Sequence, residues 1–108
     1  MGDAFEERKK KHEDKWAHDE ELRFKIGARR NKLLGLWAAA EMRLTGAPAE
    51  EYAKFVVAAD LAGADAVFRK LRGDFDAAGL THSDHLIQRR MADFLAEAAD
   101  QLMHETKR

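Results

Sequence analysis

Histidines, clustered cations and isolated aromatics are the side chains of this sequence with chemistry to offer. His82 and His85 stand three apart near the start of a helical stretch, a spacing that could hold a metal ion. No further ligands follow at recognisable spacing, and the chain has no cysteine, so no metal and no cofactor are expected and the two rings should be exposed close to a helix cap. Arg29, Arg30 and Lys32 lie near Trp37, a basic and aromatic grouping that could receive a phosphorylated ligand, an adenine nucleotide in particular. Small helical enzymes use cations of this kind inside a bundle, so a nucleotide-binding or catalytic helical domain built on these three residues is one reading of the sequence. The simpler expectation is that Arg29, which projects near an apolar stripe, pairs with an acid on a neighbouring helix.

The amino-terminal stretch has a different character. Over residues 1–21 acids surround a basic run, Arg8, Lys9, Lys10 and Lys11, and the segment cannot supply a core. Its two large apolar residues, Phe5 and Trp16, are eleven positions apart and share a helical face with Lys9 and His12 between them. If one straight helix ran through residues 3–44, that face would be rotated by about 120° from the apolar stripe that follows. The stretch is either a frayed, solvated helix start or a segment that orders when its aromatic face finds a groove on a partner. His12 and His18 could make docking sensitive to acid if they protonate near the usual value of about 6.5.

These features belong to a chain whose length suits one domain: 108 residues, 45% of them hydrophobic. Nineteen basic and twenty acidic side chains leave a formal net charge of -1, which disfavours generic nucleic-acid binding, since neutralising phosphates needs a surplus of cations. No apolar run approaches the ~20 residues that span a bilayer, so a soluble, cytoplasmic protein without direct membrane insertion is expected.

The elements that must position the candidate residues are all helices. Proline occurs once and β-branched residues never alternate along the chain. A long first helix is expected to bury Leu22, Ile26, Leu33, Trp37, Ala40 and Leu44, which fall within an arc of roughly 60°, and to stop at Thr45 and Gly46. Phe24 projects to the opposite side and is expected to pack under another helix, with a place in a docking surface as the alternative. Gly27 is either a flexible joint or neutral, whereas Gly35 should permit close helix approach. A second helix, with Pro48 in its first turn, carries Tyr52, Phe55, Val56 and Ala59 and ends near Gly63. A third runs from an Asp65 cap through Val67, Phe68, Leu71 and Phe75 to Gly79. The fourth begins after Thr81 or Ser83, with Thr81 and Asp84 spaced as a capping box, and buries Ile87, Met91, Phe94, Leu95, Ala98 and Leu102. The expected architecture is all-α: a small four-helix bundle over residues 19–108 with a flexible or frayed arm over residues 1–18.

Specific strings carry a resemblance. Residues 17–25 read Ala-His-Asp-Glu-Glu-Leu-Arg-Phe-Lys and residues 28–39 read Ala-Arg-Arg-Asn-Lys-Leu-Leu-Gly-Leu-Trp-Ala-Ala; further on come Tyr52-Ala53-Lys54, Val67-Phe68-Arg69-Lys70, Arg72-Gly73-Asp74 and Asp76-Ala77-Ala78-Gly79. Together these resemble the zeta subunit family, inhibitors of the F-type ATP synthase of alphaproteobacteria, and the likeness covers nearly the whole chain. It implies a regulatory subunit rather than an enzyme, located in the cytoplasm and peripheral to the inner membrane through the synthase. The implied partners are the catalytic head and the central rotor, with the amino-terminal segment entering between catalytic subunits to block rotation in the direction of ATP hydrolysis. Carried onto this chain, the inhibitory segment is residues 3–16, including Asp3, Phe5, Arg8, Lys9, Lys11, His12, Lys15 and Trp16. His18, Asp19, Phe24, Arg29, Arg30, Lys32 and Trp37 fall in the family strings as candidates for docking, or for weak contact with an adenine nucleotide.

Overall fold

The computed structural model describes residues 19–106, and the expectations for Asp3, Phe5, Arg8, Lys9, Lys11, His12, Lys15, Trp16 and His18 lie outside them. Among the described residues the chain forms four α-helices: α1 (Glu20–Glu41), α2 (Gly46–Ala59), α3 (Ala66–Ala77) and α4 (Asp84–Thr106), with a single 3-10 turn, Asp60–Ala62, after α2. No strand occurs among these residues, and no helix is long and apolar enough to cross a membrane.

The starts and stops of α1 differ from those expected. Asp19 is its N-cap: the backbone there is extended (φ −111°, ψ 103°), and the carboxylate accepts a hydrogen bond from the Leu22 amide at 3.0 Å. Glu20 and Glu21 fill the first turn, where negative charge meets the positive end of the helix dipole. A helix running without a break through residues 3–44 is therefore excluded, because the chain is extended at Asp19. At the other end the helix stops at Glu41 rather than at Thr45, and Arg43 takes a left-handed conformation with φ 63°. The Arg43 amide donates to the Ala40 carbonyl at 3.0 Å and the Leu44 amide to the Ala39 carbonyl at 2.8 Å, the paired bonds of a Schellman cap.

Two later caps also depart from expectation. Asp65 precedes α3 as foreseen, but it sits in the helical region and its side chain makes no capping bond. Helix α4 is capped by Ser83, whose Oγ accepts from the Leu86 amide at 3.1 Å. Asp84 does not complete a box with Thr81; its carboxylate is drawn instead to Arg72 of α3, 2.9 Å away.

Helix α1 packs along both α2 and α4, while α3 joins α2 and α4. The main core gathers Leu34, Ala38, Val56, Val67, Leu71, Phe75 and Ile87, with Trp37, Tyr52, Met91 and Phe94 against it. A second cluster joins Ile26 to Ala98, Ala99 and Leu102, flanked by Leu22, Leu33 and Leu95. A single apolar stripe on α1 is thus a partial description. Leu22, Leu33, Trp37 and Leu44 are only half-buried and Ala40 is exposed, whereas Asn31, Leu34, Gly35, Ala38 and Ala39 are buried. The physical reason is that α1 has neighbours on two sides, so a second face, made of small residues, is also enclosed.

On that second face Gly35 does what its spacing suggested. A Cβ placed there would stand 2.7 Å from the Cα of Ala53 and 3.2 Å from the Cβ atoms of Ala53 and Val56, so the absence of a side chain sets how closely α1 and α2 approach.

Candidate functional site

The candidates built into the structure divide into a closed cluster near the carboxyl end of α1 and an open face near its amino end. In the closed cluster, Trp37 meets the ring of Phe75 edge to face at 5.7 Å, and Phe75 in turn meets the His82 imidazole at 4.7 Å. His82 is therefore not exposed beside a cap. Its Nε2 lies 2.8 Å from Glu41 Oε1, its buried Nδ1 has no partner, and its backbone carbonyl accepts from Arg72 at 2.7 Å. Arg72 also holds Asp76 and Asp84, and these bonds to carboxylates push its guanidinium pKa further up. One arginine thus ties α3, the following loop and the first residue of α4 together. Paired with the Glu41 carboxylate and packed against Trp37 and Phe75, His82 fastens the loop before α4 to the last turn of α1. His85 is exposed, and among the described residues no three His, Asp or Glu side chains are placed to hold a metal ion.

The basic grouping on α1 does not converge. Arg29 reaches across to α4, with Nη1 2.8 Å from Gln101 Oε1 and both Nη atoms on the Glu105 carboxylate at 3.0 and 3.2 Å. That is the expected ion pair with a neighbouring helix. Arg30 turns another way, donating from Nε to Asn31 Oδ1; burial pulls its pKa down while the nearby Asp60 carboxylate opposes the shift. Lys32 is exposed between α1 and α2. The cation over Trp37 is Arg90 of α4, at 5.9 Å, and none of the three predicted residues. A phosphate gripped jointly by Arg29, Arg30 and Lys32 beside Trp37 is not what this geometry offers.

The open face carries Phe24. Contrary to the packing expected of it, its side chain is 73% exposed. Phe24, Ala28, Asn31 and Gly35 share one side of α1, within an arc of roughly 60° at 100° per residue. At Gly35 this side is shut against α2; toward Phe24 it opens into a groove of about 230 Å³ whose walls include Phe24, Ala28, Val57 and Leu61, with Arg23 and Asp60 on its margin. Gly27 also lines it, and a Cβ there would meet no atom within 4 Å. Asn31, only 1% exposed, is part of the same wall: its Oδ1 accepts from Arg30, and its Nδ2 has no hydrogen-bond partner among the described residues. Leu61, on the 3-10 turn, is 88% exposed.

Sequence reasoning missed Asn31, Val57, Leu61 and the His82 to Glu41 pair as functional or structural landmarks. Only Asn31 left a trace in the sequence, as an amide on the face that also holds Gly35. Asp19, named as a candidate for docking, is occupied as a helix cap.

The described residues form an all-α module in which His82, Arg29 and Arg72 hold neighbouring elements together and an apolar groove opens beside Phe24. The family model of the ATPase inhibitor subunit zeta matches residues 1–101, and the chain belongs to that family. No individually curated protein matches it.

Proposed function

We propose that this protein inhibits an F-type ATP synthase by lodging its amino-terminal segment, residues 3–16, between catalytic subunits and against the central rotor, so that rotation in the hydrolytic direction is blocked. The observation that carries the proposal is the extent of the family match, which begins at residue 1 and so takes in the charged stretch together with the bundle. Blocking a rotary motor needs an element wedged into a closing cleft, with no bond made or broken. The bundle serves as anchor over residues 19–108 and the arm, residues 1–18, as wedge. Among the described residues, both core clusters are built from Leu22 onward.

Asp19 gives this division a physical basis. Asp19, extended and with its carboxylate turned onto α1, is where the helix of the bundle begins. Eighteen residues wound as a helix would reach about 27 Å, and an isolated helix of that length is marginal in water, so the segment gains its order in the cleft. Phe5 and Trp16 supply apolar anchors there, and Arg8, Lys9, Lys11, His12 and Lys15 meet acidic walls.

The test is hydrolysis of ATP by the isolated cognate synthase. The full chain should inhibit, and a chain lacking residues 1–16 should keep its helical circular dichroism and its cooperative melt while losing inhibition. Full inhibition by the shortened chain would contradict the wedge.

A further inference from the structure

The side of α4 turned away from the core is closed to solvent, and we propose that it is the resting seat of the chain's own amino-terminal segment, residues 1–18. The segment lies along α4 in the free protein and is drawn off when the protein engages its target. The seat stands independently of the function proposed above, whereas the effect of its release on inhibition rests on that reading.

The first observation is burial on a side where no described element packs. Among the described elements α4 packs on α1 and α3. The residues it gives to the two cores, Ile87, Met91, Phe94, Leu95, Ala98 and Leu102, fall within an arc of roughly 100° at 100° per residue. Ala92, Ala96, Ala99 and Met103 form a second arc of roughly 60°, turned by about 120° from the middle of the first. Ala96 points farthest from the core and joins neither cluster, yet it is 1% exposed, and Ala92 and Met103 beside it are half-buried. Nearer the start of α4 the same side is open, with His85 and Arg89 exposed. The cover is therefore local to the stretch between Ala92 and Met103.

That cover is intramolecular, since the burial is that of a single chain. Residues 107 and 108 reach no more than about 7 Å past the end of α4, whereas Ala96 lies about 15 Å back from Thr106 along the helix. Residues 1–18 join the bundle at the right place. Leu22 and Ile26 of α1 pack with Leu102, and Arg29 pairs with Glu105, so Asp19 stands near the carboxyl end of α4. A segment that reaches Asp19 from the closed side runs parallel to α4. Wound as a helix, eighteen residues span about 27 Å, ample for the roughly 17 Å between Ala92 and Met103.

Spacing and charge fit the same segment. Phe5, Lys9, His12 and Trp16 recur at the intervals of Ala92, Ala96, Ala99 and Met103, so rings and an aliphatic stem meet small side chains in register. In that parallel arrangement Arg8, Lys11 and Lys15 fall on the flank that faces Asp93, Glu97 and Asp100. On α4 itself Arg90 bonds to Asp93, the Gln101 amide to Glu97, and His104 lies near Asp100, which leaves the flank acidic. Phe5 and Trp16, the anchors offered to the cleft, are thus the ones that α4 holds. Parking competes with docking: a segment seated about nine times in ten raises the apparent dissociation constant about tenfold.

The chain has no cysteine, so cross-linking of the full chain tests the seat directly. His12→Cys with Ala99→Cys should close an intrachain disulfide under mild oxidation, and His12→Cys with Ala58→Cys, an exposed position on α2, should not. The oxidised His12 and Ala99 variant should lose inhibition of the cognate synthase and regain it on reduction. Ala96→Glu places a charge in the seat without touching either core cluster. It should keep the cooperative melt, slow the cross-link to the rate of the Ala58 control, and lower the concentration for half-inhibition about tenfold. Equal cross-linking at Ala99 and Ala58, or a disulfide formed only between chains, would overturn the seat while the inhibitory function stands. Inhibition that persists in the oxidised variant, or an Ala96→Glu chain that cross-links and inhibits as before, would overturn it too. Selective cross-linking in a chain that never inhibits would uphold the seat and defeat the function.

Discussion

At the carboxyl end of α1, the half-buried Trp37 packs against Phe75, His82 and Arg90; at the amino end of the same helix, Phe24 leaves 73% of its surface to solvent beside a buried amide with no acceptor among the described residues. Both ends combine aromatic rings, arginines and a polar side chain, so composition does not tell them apart. What separates them is whether polar groups find partners inside the chain. Around Trp37 the Arg72 guanidinium is shared among Asp76, Asp84 and the His82 carbonyl, and His82 itself is held by Glu41. Around Phe24 the Asn31 amide and the neighbouring Arg23 and Lys32 are left unsatisfied or unpaired among the described residues. Partnered chemistry holds the fold together, and unpartnered chemistry points outward to something else.

Mutations at the closed end should cost stability in proportion to burial. Phe75 is fully enclosed and touches both Trp37 and His82, so Phe75→Ala should remove about 4 kcal/mol, read by urea or thermal unfolding. A loss below about 1 kcal/mol would mean that the Trp37 cluster is not the closed core described here. Gly35→Ala comes next. A methyl group 2.7 Å from a backbone Cα cannot be relieved by a side-chain rotation, so α1 and α2 must separate. The expected destabilisation is about 2 kcal/mol even after the roughly 1 kcal/mol that alanine gains in a helix. Because Asn31 and Ala28 lie on the same side of α1, the separation should also widen the groove beside Phe24.

A smaller effect is expected where α2 meets α3. The Tyr52 hydroxyl donates to Asp74 at 2.8 Å; burial, that bond and the carboxylate's charge all disfavour the phenolate and raise the Tyr52 pKa above its usual range. A raised folded pKa means that the native state keeps its proton where the unfolded chain loses it. The contribution is fully present below about pH 10 and is lost as pH rises above that value. Tyr52→Phe should cost about 1 kcal/mol at neutral pH and remove this part of the alkaline fall. The chain has one tyrosine, so tyrosinate absorbance in the native protein follows Tyr52 directly; titration at the ordinary value would contradict the buried bond.

Helix positions were largely legible in the sequence because glycines and apolar spacing mark them. Gly79 shows why: its φ of 74° and the bonds from its amide to the Asp76 carbonyl and from Leu80 to Phe75 form the same kind of cap as at the end of α1. Glycine announces that geometry, whereas Arg43, which performs it at φ 63°, does not, so α1 appeared to run on to Thr45. Arg43→Gly should accordingly stabilise the protein by about 0.5–1 kcal/mol, measured by thermal unfolding. The ion pair of Arg29 was legible because a cation projecting near an apolar stripe, and so partly buried, needs an acid beside it. The fate of His82 was not, since its burial depends on a loop folding back over Phe75. Phe24 was misjudged for a related reason. Its position opposite the main stripe was visible, but whether α2 covers that side along its whole length depends on where α2 diverges from α1, and no local pattern records a divergence between helices.

The smallest expected effect on stability decides most. Phe24→Ala makes the same chemical change as Phe75→Ala, on the same kind of helix, and differs only in what surrounds the ring. At the open end the change should move stability by no more than about 0.5 kcal/mol, because little area is returned to water and alanine suits a helix. A large loss of stability instead would mean that Phe24 is covered within the free protein, and the contrast between the two ends of α1 would vanish.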